Sequence, residues 1–116
     1  MRKPIRVLVV DDDPEIRDYL ALALSGPDCT VTIAAGPAEV AEAPDCDVAL
    51  VDLLLEGGET AEPLVARLAG QGIRVVVMTG LSSDAPPVRR ASAAGAAAVL
   101  QKPFTLSALR DEVAGG

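Results

Sequence analysis

The chain has 116 residues, of which 50% are apolar and 23% charged, and this fits one domain that buries roughly two-thirds of its unfolded surface. It contains no histidine or tryptophan, which excludes any mechanism that needs an imidazole of this chain and any zinc site with histidine ligands. One tyrosine and one phenylalanine cannot form a stacking platform for single-stranded nucleic acid, and the net charge of −7 disfavours binding to a phosphate backbone.

Short apolar runs alternate with helical stretches along the chain. Strands are predicted at Ile5–Val10, residues 30–34, residues 48–51, Arg74–Thr79 and Ala98–Gln101. The first, third and fourth of these are continuous apolar runs, which are typical of strands covered on both faces of a parallel sheet.

Helices are predicted between the strands from capping residues and apolar spacing. The first begins at Pro14, with Asp13 as its N-cap, and ends before Gly26. Further helices are predicted at residues 37–43, 61–69, 86–94 and Leu106–Val113. Five strand–helix repeats predict a five-stranded parallel sheet with helices on both faces.

Two further features bear on compartment and cofactors. Cys29 and Cys46 are too few, and lack the spacing, for a disulfide framework or a zinc site. The apolar run at residues 7–10 is too short for a signal peptide, and no segment is long enough to span a bilayer. We therefore expect a cytoplasmic location and no membrane partner.

The residues that end the predicted strands carry the candidate chemistry, because ligands of such sheets bind at the carboxyl ends of the strands. Asp11 and Asp12 follow the first strand and Asp52 the third, while Thr79 ends the fourth and Lys102 follows the fifth. Converging carboxylates repel one another unless a cation binds, and hard oxygen ligands favour Mg²⁺. An amine and a hydroxyl beside them suit the oxygens of a phosphoryl group. The residues alone indicate a phosphoryl-transfer site with a carboxylate nucleophile.

Four stretches of sequence resemble motifs of response-regulator receiver domains in two-component signalling. They are VLVVDDDPEIR at residues 7–17, VALVDL at 48–53, VVVMTG at 75–80 and GAAAVLQKPF at 95–104. They follow the family's order over essentially the whole chain. The resemblance implies a flavodoxin-like, doubly wound (βα)5 fold with strand order 2-1-3-4-5. It also implies a single receiver domain over residues 1–116, with no output domain in this chain.

By position, the resemblance implies roles for the acidic residues. Asp52 would accept a phosphoryl group from a phosphohistidine of a sensor histidine kinase or a histidine phosphotransfer protein. Asp11, Asp12 and Asp52, with the backbone carbonyl of Leu54, would hold Mg²⁺. Asp13 would lie outside the metal site, as the cap of the first helix.

The resemblance also implies how the phosphoryl group is held and read. Thr79 and Lys102 would contact it, and the peptide bond between Lys102 and Pro103 would be cis. The chain would be a phosphoacceptor in a phosphorelay and not an enzyme, and it would signal through contacts with an unknown protein target. By resemblance, the contact surface combines the fourth helix, fifth strand and fifth helix, including Arg89, Arg90 and Arg110.

Val99 departs from the family's pattern. The family commonly has an aromatic residue at this position, three residues before Lys102. Valine is short and stiff at χ1, so a relay from the threonine to a rotating aromatic ring does not transfer to this chain. The hypothesis is that activation moves the loop after Thr79 and the helix that follows it.

The loop after Asp52 is the second departure, because LLLEGGE at residues 53–59 replaces a more usual methionine–proline sequence. Gly57 and Gly58 permit backbone conformations that other residues resist. Leu54 is apolar where many relatives have a polar residue beside the attacking water. Slow self-dephosphorylation is therefore predicted.

Two alternatives remain open. One is a small Mg²⁺-dependent aspartyl phosphatase of the haloacid-dehalogenase type, since residues 11–13 also fit an Asp-x-Asp motif. Such an enzyme needs a late acidic pair, but no such pair ends a strand after Lys102, and Asp52 would be unexplained. The other is a receiver-like binding module that is not phosphorylated, favoured only by Val99 and the altered loop.

Overall fold

The computed structural model describes residues 3–55 and 58–115, and its strands form one parallel sheet. The strands are β1 (Ile5–Val10), β2 (Cys29–Ala34), β3 (Val48–Asp52), β4 (Arg74–Thr79) and β5 (Ala98–Gln101). Their order is β2-β1-β3-β4-β5 and all four pairings are parallel. The predicted fold class and strand order are confirmed.

Four α-helices cover the two faces of the sheet. They are α1 (Pro14–Leu24), α2 (Glu62–Gly70), α3 (Pro86–Ala93) and α4 (Leu106–Val113). Buried side chains of α1 and α4 pack in one core cluster, and those of α2 and α3 pack in the cluster on the opposite face. Within the described part of the chain, no helix is long and apolar enough to cross a membrane.

Strand β3 shows why a continuous apolar run predicted a central strand. All five of its residues are buried. Val48 and Leu50 pack in the cluster beneath α1, whereas Ala49 and Val51 pack in the cluster beneath α2. Successive side chains point to opposite faces, so a strand covered on both faces needs an apolar residue at nearly every position.

The start of α1 follows the predicted capping pattern. The carboxylate of Asp13 accepts a hydrogen bond from the Glu15 N–H at 2.9 Å, and Pro14 occupies the first turn. Pro is tolerated there because the first N–H groups of a helix have no partner within the helix. This cap sets where the chain turns from the end of β1 into α1.

The predicted helix at residues 37–43 is wrong, since this segment forms only a 3₁₀ turn at Pro37–Glu39. The guanidinium of Arg67 in α2 donates hydrogen bonds to the carbonyls of Ala41 and Glu42 at 2.8 and 2.9 Å. These contacts tie the segment to α2 and satisfy its last carbonyls, which would have no partner within so short a segment. The sheet is therefore covered by four α-helices instead of the five expected.

Candidate functional site

Three polar residues are buried among residues 3–55 and 58–115, and all lie at the carboxyl edge of the sheet. Asp11, Asp52 and Thr79 are 1%, 9% and 3% exposed. They end or directly follow β1, β3 and β4, which are neighbours in the sheet. Burying such groups is unfavourable unless they are paired. Their convergence marks this edge as the candidate site.

The acidic residues at this edge form one cluster. Asp11, Asp12 and Asp52 each place a carboxylate oxygen within 4.8 Å of the others. The Asp13 N–H donates to Asp11 Oδ1 at 2.9 Å, which orients that carboxylate at the end of β1. Oxygen ligands at this spacing fit a hard divalent cation such as Mg²⁺. Asp13 itself caps α1 and is not part of the cluster.

Arg17 supports the cluster from α1 and was missed by the sequence reasoning. Its Nη1 donates a hydrogen bond to the backbone carbonyl of Asp11 at 2.8 Å. Its position one helical turn after the N-cap Asp13, close to the end of β1, could have predicted this contact. This contact fixes the main chain that carries the buried carboxylate.

Lys102 brings positive charge to the carboxylates. Its Nζ lies 3.5 Å from Asp11 Oδ2 and 3.5 Å from Asp52 Oδ1. Its backbone N–H donates to the Thr79 carbonyl at 2.7 Å, which ties the end of β5 to the end of β4. The peptide bond between Lys102 and Pro103 is cis, as expected.

The local electrostatics raise the pKa of Asp52 to about 6. Burial is the largest cause, because it disfavours the charged carboxylate, and the negative charge of Asp11 acts in the same direction. The positive charge of Lys102 opposes both effects. The cluster therefore carries more negative charge than one lysine balances, which favours binding of a cation.

Thr79 is held by the loop that follows β4. Its Oγ1 accepts a hydrogen bond from the Leu81 N–H at 3.0 Å. The carbonyl of Leu81 accepts another from Gln101 Nε2 at 2.9 Å. Gln101 was missed by the sequence reasoning, although a polar residue ending an otherwise apolar strand was a signal.

Leu54 lies just beyond Asp52 with its side chain 42% exposed. It pairs with Thr60 in an isolated antiparallel bridge. The hydrogen bonds of this bridge are donated by the N–H groups of Leu55 and Ala61, so the Leu54 carbonyl takes no part in it. The ligand role of that carbonyl stays a prediction.

The glycines of the same loop permit backbone conformations that other residues resist. Gly58 has φ of 80°, in the left-handed region that favours glycine. Its N–H donates to the Leu55 carbonyl at 3.1 Å. Gly57 lies outside the described residues.

The arginines of the expected contact surface do not all face the same way. Arg90 of α3 forms an ion pair with Glu62 of α2 at 3.3 Å, so it faces the neighbouring helix. Arg89 and Arg110 are exposed. Val99 is half-buried against the core cluster beneath α2 and α3.

Solved structures of similar fold come from several organisms. A CheY-like receiver domain protein of Methanospirillum hungatei is 27% identical with a TM-score of 0.84, covering 97% of this chain and 92% of that one. Chemotaxis protein CheY4 of Vibrio cholerae is 26% identical with a TM-score of 0.83, covering 96% and 97%. A response regulator of Burkholderia pseudomallei, solved with a phosphorylated aspartic acid, a calcium ion and citrate, is 26% identical with a TM-score of 0.81, covering 94% and 66%.

The family comparison agrees with the fold and the site. No curated protein sequence was found to match this chain. The family model of the response regulator receiver domain matches residues 7–114. That span contains every strand but the first two residues of β1, all four helices and the whole carboxyl-edge cluster. The chain therefore belongs to the response-regulator receiver domain family.

Proposed function

We propose that this chain is the phosphoacceptor of a two-component phosphorelay, with Asp52 as the residue that is phosphorylated. The observation that carries this proposal is the position of Asp52, buried in a cluster of three carboxylates and 3.5 Å from the amine of Lys102. The phosphorylated aspartic acid and the calcium ion of the Burkholderia pseudomallei relative support it. The donor would be a phosphohistidine of a sensor histidine kinase or of a histidine phosphotransfer protein.

Mg²⁺ is the cofactor that the donor set fits best. Asp11, Asp12 and Asp52, with the carbonyl of Leu54, would hold it. When bound, the cation offsets negative charge where the carboxylate meets the phosphoryl group. The three clustered carboxylates support this assignment.

The transfer step uses an ionised carboxylate. An oxygen of Asp52 attacks phosphorus, the P–N bond breaks, and its electron pair returns to the partner's imidazole, which takes up a proton. Lys102 and the Thr79 hydroxyl donate hydrogen bonds to the phosphoryl oxygens. Since the pKa of Asp52 is about 6, most of the carboxylate is ionised at pH 7 even without metal.

Phosphorylation would act as a population shift between two backbone arrangements. The phosphoryl group adds charge and strong acceptor oxygens at the edge formed by β1, β3 and β4. The signal would pass to a downstream protein and not to nucleic acid, consistent with a net charge of −7. Residues 1–116 would form one receiver domain that acts as a phosphoacceptor and not as an enzyme.

Intact-mass analysis after incubation with Mg²⁺ and acetyl phosphate tests the proposal. The parent should gain a single phosphoryl adduct, and Asp52→Asn should gain none, because an amide is not a nucleophile for this transfer. Asp13→Asn is the matched control, because it makes the same substitution at the N-cap of α1, outside the carboxylate cluster, and Asn also caps helices well. Its adduct should match that of the parent.

Other outcomes would contradict the assignment. No adduct on the parent, either from acetyl phosphate or from a phosphorylated histidine partner, would favour the binding module. An adduct that persists in Asp52→Asn would place the acceptor elsewhere. Turnover of acetyl phosphate by Asp52→Asn without an adduct would favour the aspartyl phosphatase.

Leu54 should make the aspartyl phosphate long-lived, because its exposed apolar side chain cannot orient a water molecule for attack. Leu54→Asn supplies a hydrogen-bonding group and should speed loss of the phosphoryl group roughly two- to tenfold, the value of about one hydrogen bond. Decay of the adduct after removal of the donor gives the rate. Leu54→Met, which stays apolar, should decay like the parent. Equal decay in all three proteins would refute this role of Leu54.

A further inference from the structure

The backbone of Leu81 is held at both ends by side chains from two strands. Its N–H donates to Oγ1 of Thr79 at 3.0 Å, and its carbonyl accepts from Nε2 of Gln101 at 2.9 Å. Thr79 and Gln101 are direct register partners in β4 and β5. The first turn of the loop between β4 and α3 is thus bonded to the sheet on both sides.

The position of Gln101 on β5 places it under this loop. Residues two apart in a strand share a face, so Gln101 lies on the same face as Val99. Val99 packs against the core cluster beneath α2 and α3, together with Leu81. Gln101 therefore extends that face beyond the short valine, towards the loop.

The hydrogen bonds of Leu81 also define where the Thr79 side chain points. A threonine side chain occupies one of a few staggered rotamers, and the bond from the Leu81 N–H selects among them. The hydroxyl oxygen therefore bonds to the loop, while the amine of Lys102 lies within 3.5 Å of Asp52. A shift of Leu81 would release the Thr79 side chain to turn towards a phosphoryl group on Asp52.

We infer that Gln101 is a positioning residue that favours the unphosphorylated arrangement by holding Leu81 and, through it, the Thr79 hydroxyl. The inference rests on the proposed phosphorylation of Asp52. Loss of the Gln101 side-chain amide should loosen Leu81 and let Thr79 reach the phosphoryl group more readily. Because Gln101 is exposed and water competes for the same carbonyl, the gain should be roughly two- to tenfold in phosphorylation rate.

Gln101→Met tests this with a side chain of similar length that carries no donor and no charge. The rate of adduct formation with acetyl phosphate and Mg²⁺, followed by intact mass, should rise. Gln71→Met is the matched control, because Gln71 also donates to a loop carbonyl, that of Glu42 at 2.6 Å, but outside the site. The control should phosphorylate at the parent rate.

A double variant separates positioning from a general loosening of the fold. In a Thr79→Val background there is no hydroxyl to position, so adding Gln101→Met should leave the rate unchanged. Effects of residues that act through one contact are not additive, whereas independent effects add. The amide signal of Leu81 in NMR spectra should also shift in Gln101→Met without any phosphodonor, but not in Gln71→Met.

The outcomes distinguish the inference from the proposed function. Adducts that form on the parent and Gln101→Met at equal rates, or more slowly on the variant, would overturn the inference alone. An equal acceleration in the Thr79→Val background would do the same. A parent that forms no adduct with acetyl phosphate or with a phosphorylated histidine partner would overturn the proposed function, and the inference with it.

Discussion

At pH 7 and without divalent cations, the Asp52→Asn variant should be more stable than the parent by about 1–2 kcal/mol. The reason is the pKa of Asp52, raised from 3.8 to about 6 by burial and by the nearby charge of Asp11. A shift of this size corresponds to at most about 3 kcal/mol. The shift already includes the opposing effect of Lys102, and the cost of burying the polar amide offsets part of the gain. An amide of the same shape removes the cost of the buried charge.

The advantage of the variant should depend on pH in one direction. The folded parent binds a proton on Asp52 more tightly than the unfolded chain does, so between about pH 4 and 6 the folded state holds more protons. The contribution of Asp52 to the free energy of unfolding is fully present below the pKa of this group in the unfolded chain. It is lost as pH rises through about 6. The difference between variant and parent should therefore grow from pH 4 to pH 7.

Comparing two proteins also removes the effect of other carboxylates. Hydrogen bonds from Arg6 lower the pKa of Asp47. Asp47 therefore adds stability as pH rises, which is opposite to the effect of Asp52. Asp47 is present in both proteins and its contribution cancels in the difference. Urea unfolding at pH 4.5 and pH 7.5 with a chelator measures that difference directly.

Mg²⁺ should reverse the order of the two proteins. A ligand that binds only the folded state adds stability as its concentration rises above the dissociation constant. The parent, with all three carboxylates, should gain more than Asp52→Asn when Mg²⁺ replaces the chelator. A variant that is no more stable than the parent at pH 7.5 in chelator, or a parent that gains nothing from Mg²⁺, would contradict this account.

Gly95→Ala should destabilise the fold by about 2–4 kcal/mol. Gly95 has φ of 123°, which side chains of L-residues rarely adopt, and it follows the end of α3. A Cβ at this position would lie 2.6 Å from the Cβ of Ala69 in α2. Backbone strain and overpacking each cost about 1–3 kcal/mol, so their sum is large for a domain of this size.

Two further variants separate these causes. Gly70→Ala makes the same change next to Ala69, where an added Cβ meets no atom within 4 Å, and it should be neutral or stabilising by about 0.5–1 kcal/mol. Ala69→Gly combined with Gly95→Ala should recover the steric part of the loss but not the backbone strain. Urea midpoints report all four proteins. A Gly95→Ala variant with the same urea midpoint as the parent would contradict the prediction, because α2 and the segment after α3 would then accommodate the added Cβ without loss of stability.

The apolar pattern determined the sheet, because a strand covered on both faces has no position for a polar residue. It placed β1, β4 and β5 at their observed bounds and β3 within one residue. The order of parallel strands along one edge also made the meeting of Asp11, Asp52 and Thr79 predictable. The residues alone indicated phosphoryl-transfer chemistry, whereas the role of each residue came from the resemblance and stays a prediction until the phosphorylation experiment is done.

The tertiary structure decided what depends on contacts between distant segments. The path of residues 41–42 depends on Arg67, about 25 residues away, whose guanidinium donates hydrogen bonds to their carbonyls. The hold of Gln101 on Leu81 depends on β5 lying beside β4, and the approach of Gly95 to Ala69 on how α2 packs. The apolar pattern of a strand and the residues at its end depend only on neighbours in sequence, so they can be predicted from the sequence. Side-chain reach, burial and the pKa of Asp52 are set by the packing of the layers, so only the folded chain determines them.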